Sequence, residues 1–240
     1  MITGRKFAVF DIDGTLVRWQ LYHAVADSLV KLGFIAPVKF QGIKGARMDW
    51  KRRESSESYK KYETKLIKLY EDILADITIS QFEQAAQNVF DEYKDQVYTW
   101  TRDLISDLMK KDYLLFAISG SQIEVVSKIA AYYKFDDCVG TEYVRKNGGF
   151  TGENIYHAAN KRRVLEGLVN NHRATTEGSV AVGDGISDVP MLELVNTPIA
   201  FNPERRLLEV AKKQGWKIVI ERKNMVYELE KQNGKYQLMN

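Results

Sequence analysis

The sequence predicts an α/β protein built on a doubly wound parallel sheet, with a helical segment inserted after the first strand. Short apolar runs of strand length alternate with helical patterns, and such alternation is typical of parallel strands joined by crossover helices. Residues 19–95 interrupt the alternation with helical patterns alone. The apolar runs are Lys6–Phe10, Tyr113–Ile118, Ser179–Val182, Thr197–Phe201 and Lys217–Ile220.

Helical patterns fill the segments between these runs. The predicted helices are 101–110, 122–133, 160–170, 187–195 and 204–213. Inside the insertion, Leu66, Leu69 and Ile73 recur at helical spacing, and residues 81–93 repeat the pattern. We therefore expect a core domain formed by residues 1–18 and 96–220, a helical cap domain over 19–95 and a C-terminal extension over 221–240. Turn residues at 147–149 and 233–234 indicate two hairpins, the second in the extension.

Composition excludes several classes of protein. Hydrophobic residues make up 45% and charged residues 28% of the 240, which excludes a disordered chain. No apolar run approaches the roughly 18 residues of a membrane-spanning helix, and no signal peptide is visible. Cys138 is the only cysteine, so an intrachain disulfide is excluded, and we expect a cytoplasmic protein. The net charge of +3 is too small to indicate a nucleic acid, and we expect neither a nucleic acid nor, without a long apolar run, a membrane as partner.

The pair Asp11 and Asp13 is the strongest chemical signal, because it directly follows the first predicted strand. Of two carboxylates at a strand end, one can act as a nucleophile or metal ligand while the other transfers a proton. This requires surroundings that give the two groups different pKa values. An ordinary turn is the alternative reading, since Asp, Gly and Thr are common turn residues. A calcium loop is disfavoured because Thr15 and Tyr22 occupy positions that require an acidic or amide side chain and a glutamate.

Ser119 and Gly120 follow the second strand of the core, and a hydroxyl with free backbone N–H groups at such a turn can hold a phosphate. The alternative is that Ser119 or Ser121 caps the following helix. Lys161 begins a later helix on the same side as Val164, Leu165 and other apolar residues, which is unusual for a helix start. In the alternative reading, Lys161 packs its aliphatic stem along the helix edge and keeps its ammonium group in solvent.

Asp184 and Asp188 lie in a Gly-Asp-Gly-Ile-Ser-Asp segment after a further strand. Two acids four residues apart can share one side if a helix begins between them, and their hard oxygens suit Mg²⁺. A dinucleotide-binding fingerprint is the rival, but Asp188 stands where its third glycine belongs. Simple capping of a helix by Ser187 is the remaining alternative.

The four motifs in this order resemble those of the haloacid dehalogenase superfamily of phosphohydrolases, most closely its phosphoserine phosphatase-like branch. The resemblance covers about residues 1–220 and implies a Rossmann-like core with a helical type 1 cap. It also implies a role for each motif residue. Asp11 would be the nucleophile, Asp13 the acid and base, Ser119, Gly120 and Lys161 the phosphate-binding groups, and Asp11, Asp13, Asp184 and Asp188 the Mg²⁺ site.

The resemblance implies a Mg²⁺-dependent phosphatase acting on a small phosphorylated metabolite through an aspartyl-phosphate. A phosphotransferase or phosphomutase, or a non-catalytic phosphate-binding protein, remains an alternative on the same fold. Phosphoserine phosphatases usually carry a glutamate soon after the first motif, and this chain has Gln20 at the position we align. The sequence therefore does not name the substrate, and it does not indicate an oligomeric state.

Overall fold

The computed structural model describes residues 4–55 and 57–239 and divides into two compact units. The first unit comprises the residues up to 20, then 92–141, and 156 onward. The second comprises residues 21–91 and 142–155. The second unit thus includes a segment, 142–155, that the predicted cap range of 19–95 does not contain. The first unit also includes the C-terminal extension.

Nine strands are present among the described residues. They are β1 (Lys6–Phe10), β2 (Leu114–Gln122), β3 (Asp137–Lys146), β4 (Gly149–Ile155), β5 (Thr175–Gly183), β6 (Thr197–Phe201), β7 (Lys217–Arg222), β8 (Met225–Gln232) and β9 (Lys235–Met239). In the first unit the strand order is β3-β2-β1-β5-β6-β7-β8-β9. The strands from β3 to β7 pair in parallel, whereas β7, β8 and β9 pair antiparallel. The predicted parallel sheet is confirmed.

Nine α-helices are present in the described part of the chain. They are α1 (Leu21–Lys31), α2 (Pro37–Lys51), α3 (Ser58–Ile73), α4 (Ile79–Tyr93), α5 (Thr99–Lys110), α6 (Ile123–Tyr132), α7 (Lys161–Asn171), α8 (Val189–Leu192) and α9 (Arg205–Gln214). Helix α8 is shorter than the predicted helix 187–195. A 3-10 turn at Ile186–Asp188 precedes it, and the chain enters β6 soon afterwards.

The core of the first unit forms on the two faces of its sheet. Phe7 and Val9 of β1 belong to a buried cluster that includes apolar side chains of α7, α8 and α9. Because strand side chains alternate, Phe10 faces the other way, and its ring meets that of Phe135 just beyond α6 at 5.8 Å. Burying both faces explains why the strands read as continuous apolar runs rather than as alternating patterns.

The second unit is held together by aromatic packing between its helices and the β3–β4 hairpin. The ring of Tyr143 in β3 stacks on that of Tyr70 in α3, with centroids 6.0 Å apart. Phe150 in β4 packs against Phe82 in α4 at 5.3 Å. These contacts join residues far apart in sequence, which is why helical periodicity within 19–95 does not reveal that the hairpin belongs to this unit.

His23 is buried in the second unit among the rings of Trp50, Tyr59 and Tyr62. Burial, followed by the charge of Arg47, lowers the pKa of His23 to about 3. Because the unfolded chain binds a proton near pH 6.5 and the folded chain does not, His23 makes stability fall as the pH drops below 6.5.

We predict that His23→Phe weakens this acid sensitivity. Between pH 6.5 and pH 5 the free energy of unfolding of the wild-type protein should fall by about 2 kcal/mol because of His23. The variant lacks the imidazole, so this contribution should be absent from it. Urea unfolding of both proteins at several pH values measures the difference. Equal pH dependence of the two proteins would show that the buried imidazole does not resist protonation.

Candidate active site

The predicted site residues come together at one end of the sheet because β1, β2 and β5 are neighbouring parallel strands. Asp11 directly follows β1, Ser119 lies near the end of β2, and Asp184 directly follows β5. The N–H of Asp11 also donates to the carbonyl of Val182 at 3.0 Å, which fixes the start of the first loop on β5. Ligands of open α/β sheets bind at this end of the strands.

Lys161 links two of the acidic side chains. Its Nζ donates to Asp11 Oδ1 at 2.7 Å and to Asp188 Oδ1 at 2.6 Å. A third hydrogen bond, at 3.0 Å, goes to the backbone carbonyl of Ile118 in β2. All three charged side chains are buried, and the ammonium has an acceptor for each of its protons. The placement of Lys161 on the apolar side of its helix therefore reflects this ion cluster rather than snorkelling.

Asp13 belongs to a separate hydrogen-bonded pair. Ser119 Oγ donates to Asp13 Oδ2 at 2.7 Å and accepts from the N–H of Ser121 at 2.9 Å. Ser119 is fully buried, and it does not cap α6, whose first turn has no side-chain cap. The two carboxylates of the first motif thus have different partners: Asp11 contacts a cation and Asp13 contacts a hydroxyl.

The loop after β5 is organised by Asp188. Its Oδ2 accepts from the N–H groups of Asp184 and Gly185, at 3.0 and 2.9 Å, while its Oδ1 binds Lys161. Both oxygens of Asp188 are therefore engaged. The Asp184 carboxylate accepts no hydrogen bond from any residue in the described ranges 4–55 and 57–239. Asp188 holds the loop, and Asp184 presents its oxygens to the site.

The site carries more negative charge than Lys161 balances. The pKa of the Asp11 carboxyl is raised to about 7 as the net result of burial, which raises it most, of Lys161, which lowers it, and of Asp188 and Asp13, which raise it. Burial, followed by the charges of Asp11 and Asp188, raises the pKa of Asp184 well above its usual range. Burial lowers the pKa of Lys161, but its two carboxylate partners outweigh that effect and the net direction is upward.

These acids fit a small divalent cation. One oxygen each from Asp11, Asp184 and Asp188 lies within 4.8 Å of the others. The carboxylate of Asp184, partly buried and without a hydrogen-bond donor among the described residues, is the group that a cation would stabilise most. An all-oxygen donor set of carboxylates is the set that Mg²⁺ takes in phosphate-handling sites. The residues present therefore suit the metal predicted from the sequence.

Gly14 controls how closely the first loop approaches Asp184. Its φ is +81°, and a Cβ added there would collide with Asp184 Oδ2 and lie 2.9 Å from its Cγ. A side chain at position 14 would therefore be strained in the backbone and would displace the carboxylate.

We predict that Gly14→Ala weakens Mg²⁺ binding at least tenfold, measured by calorimetric titration, with a smaller effect on folding. Gly148→Ala is the matched control, because Gly148 also has a positive φ but a Cβ there meets nothing within 4 Å. Unchanged Mg²⁺ affinity in Gly14→Ala would contradict the placement of Asp184 in the metal site.

Glu204 was not among the predicted site residues. Its N–H donates to the backbone carbonyl of Asp184 at 2.9 Å, and its Oε1 accepts from the N–H of Ile186 at 2.8 Å. It thus holds the chain on both sides of Gly185, directly after Asp184. The available signal was its position just before α9, where an acidic residue marks a helix start. That signal gives no indication of a contact with the loop after β5.

Comparison with known proteins identifies the family. The model of the haloacid dehalogenase-like hydrolase family matches residues 8–193. The chain belongs to this family. The matched range begins in β1 and ends just after α8, so it includes every site residue predicted from the sequence but not Glu204.

Named relatives include phosphoserine phosphatases. Phosphoserine phosphatase SerB1 of Mycobacterium tuberculosis is 27% identical over 145 residues, covering 59% of this chain and 47% of the relative. The phosphoserine phosphatase of Archaeoglobus fulgidus is 23% identical over 210 residues, covering 86% of this chain and 55% of the relative. The chain spans about half the length of these two relatives.

A solved structure shows the same fold. A phosphoserine phosphatase captured as an analogue of its phospho-aspartyl intermediate superposes with a TM-score of 0.62 at 22% identity, covering 92% of this chain and 95% of that one. This likeness confirms the predicted fold class. Among the described residues, no helix has the length and apolarity that crossing a membrane requires.

Proposed function

We propose that the protein is a Mg²⁺-dependent phosphatase that hydrolyses a small phosphomonoester through an aspartyl-phosphate on Asp11. The observation that carries this proposal is the separation of the two carboxylates of the first motif. Asp11 is bound by Lys161 and lies beside the other acids, whereas Asp13 is paired with the hydroxyl of Ser119. A nucleophile and a proton-transfer group require such different surroundings.

Asp11 would attack the phosphorus atom, and the bond from phosphorus to the leaving oxygen would break. Asp13 would protonate the departing alkoxide and then, as a carboxylate, take a proton from the water that hydrolyses the aspartyl-phosphate. Dividing the reaction into two displacements replaces one difficult step with two easier ones. The hydrogen bond from Ser119 Oγ to Asp13 Oδ2 orients the carboxyl group before substrate binds. The hydroxyl has a single proton, which it would donate to a phosphoryl oxygen once substrate is present.

Positive charge is needed because the acidic groups would otherwise repel a phosphate dianion. Lys161, 2.7 Å from Asp11 Oδ1, would neutralise charge on the transferring phosphoryl group, and Ser119 and Gly120 would bind its oxygens. Mg²⁺, held by Asp11, the Asp13 backbone carbonyl and Asp184, with Asp188 ordering its surroundings, would supply further charge neutralisation.

The substrate class is a small phosphorylated metabolite. The named relatives favour a phosphoserine-like compound, but Gln20 offers a neutral amide where phosphoserine phosphatases usually carry a glutamate for the substrate ammonium. We therefore expect a phosphomonoester whose recognition does not depend on that ammonium group. Comparing phosphoserine with phosphoglycerate, which has a hydroxyl in place of the ammonium, tests this expectation.

Hydrolysis of p-nitrophenyl phosphate and of a panel of phosphorylated metabolites, with release of inorganic phosphate measured, tests the proposal. We predict activity with Mg²⁺, its loss in EDTA and its return when Mg²⁺ is added in excess. Transfer of phosphate to an acceptor without release of free phosphate would favour a phosphotransferase or mutase instead. Binding of phosphate without turnover of any substrate would indicate a non-catalytic protein.

A further inference from the structure

The phenol ring of Tyr156 lies directly against the backbone of Gly120. A Cβ added to Gly120 would be 3.3 Å from the Tyr156 hydroxyl oxygen, 3.4 Å from Cε2 and 3.8 Å from Cζ. Half of Tyr156 is nevertheless exposed, at 52%. The side chain therefore borders the end of β2, where Gly120 follows the serine that meets Asp13, and about half of it is accessible to solvent.

Tyr156 and Lys161 lie in the same short segment of the chain. Tyr156 precedes a 3-10 helix, His157–Asn160, that leads directly into α7 and Lys161. Lys161 Nζ donates to the carbonyl of Ile118, so two side chains of one short segment contact the stretch from Ile118 to Gly120. On its other side, the carbonyl of Gly120 accepts a 2.7 Å hydrogen bond from Thr141 Oγ1.

We propose that the Tyr156 hydroxyl donates a hydrogen bond to an oxygen of the bound phosphomonoester, an inference that rests on the phosphatase function proposed above. A phenol is a neutral donor, and a hydrogen bond from it to an anionic phosphoryl oxygen is charge-assisted and stronger than a bond between neutral groups. Tyr156 thereby adds a substrate-binding group from outside the four sequence motifs.

Tyr156→Phe tests the proposal because it removes the hydroxyl and keeps the ring that packs on Gly120. We expect the dissociation constant of inorganic phosphate, measured calorimetrically with Mg²⁺ present, to rise about tenfold, and kcat/KM for p-nitrophenyl phosphate to fall by a similar factor. Tyr132→Phe is the matched control, since Tyr132 is also about half exposed and its hydroxyl binds Asp95 on the surface of the first unit.

A second variant approaches the same contact from the other side. Gly120→Ala places a methyl group 3.3 Å from the phenol oxygen and should displace it, which weakens phosphate binding in the same direction. An unchanged phosphate dissociation constant in Tyr156→Phe, in a protein whose wild type binds phosphate and turns over substrate, would overturn this inference alone. A wild-type protein that neither binds phosphate nor hydrolyses any phosphomonoester would overturn the phosphatase proposal, and this inference with it.

Discussion

Replacing Asp11 with asparagine should abolish turnover, lowering kcat for p-nitrophenyl phosphate by at least about 10⁴-fold. The amide has nearly the shape of the carboxyl group and can still accept the hydrogen bond from Lys161 through Oδ1, so the fold should persist. What the variant loses is the anionic oxygen that attacks phosphorus. Stopped-flow or steady-state release of p-nitrophenol measures the effect.

The control for Asp11→Asn is Asp107→Asn. Asp107 is an exposed aspartate on α5 whose carboxylate pairs only with the equally exposed Lys110 among the described residues, and we expect wild-type activity. Circular dichroism and urea unfolding of both variants should show a folded protein. Activity that survives in a folded Asp11→Asn variant would reject the nucleophile assignment.

Replacing Lys161 with methionine should cause the largest loss of stability. The ammonium group is the cation that contacts the carboxylates of Asp11 and Asp188, and both are buried. Removing one partner of a buried ion pair leaves charge without compensation and typically costs 3–5 kcal/mol, so we expect a loss of about 4 kcal/mol at pH 8. We also expect activity to fall to background, because the transferring phosphoryl group would lose the neutralising charge proposed for Lys161.

The pH dependence of this loss has a definite sign. Lys161 lowers the folded-state pKa of Asp11, which burial raises, so without Lys161 that pKa rises further above its unfolded value. The variant therefore gains stability as the pH falls and loses it as the pH rises. Its deficit relative to wild type should therefore be smaller at pH 5 than at pH 8. Lys110→Met, at an exposed pair on α5, should change the free energy of unfolding by less than about 0.5 kcal/mol. A deficit in Lys161→Met that does not depend on pH would contradict the ion cluster.

The site residues could be predicted from the sequence because they lie next to strand ends that local sequence patterns indicate. Asp11, Ser119 and Asp184 each follow an apolar run, and parallel neighbours place such ends at one edge. The pairing of individual groups was not accessible in this way. That Ser119 meets Asp13, and that Lys161 bridges Asp11 and Asp188, depends on loop geometry and side-chain direction, which residue spacing does not encode.

Some features of the fold likewise follow from local sequence, whereas others depend on contacts between distant segments. The Asn233–Gly234 turn of the terminal hairpin has φ values of +49° and +79°, the conformation that this residue pair favours, so the hairpin could be expected from local chemistry. Its continuation of the main sheet through β7 could not, because strand pairing is a contact between segments. Membership of the β3–β4 hairpin in the second unit depends likewise on Tyr143 and Phe150 meeting helices from a distant segment.

The central claim is that a phosphoryl group is transferred to Asp11. The most direct measurement is borohydride reduction of the Asp13→Asn variant during turnover of p-nitrophenyl phosphate, followed by peptide mass spectrometry. The good leaving group permits the first step without an acid, and the missing base slows hydrolysis, so the acyl-phosphate should accumulate. We predict conversion of Asp11 to homoserine, dependent on substrate. Reduction at another carboxylate, or a burst of p-nitrophenol with Asp11 left intact, would contradict the account.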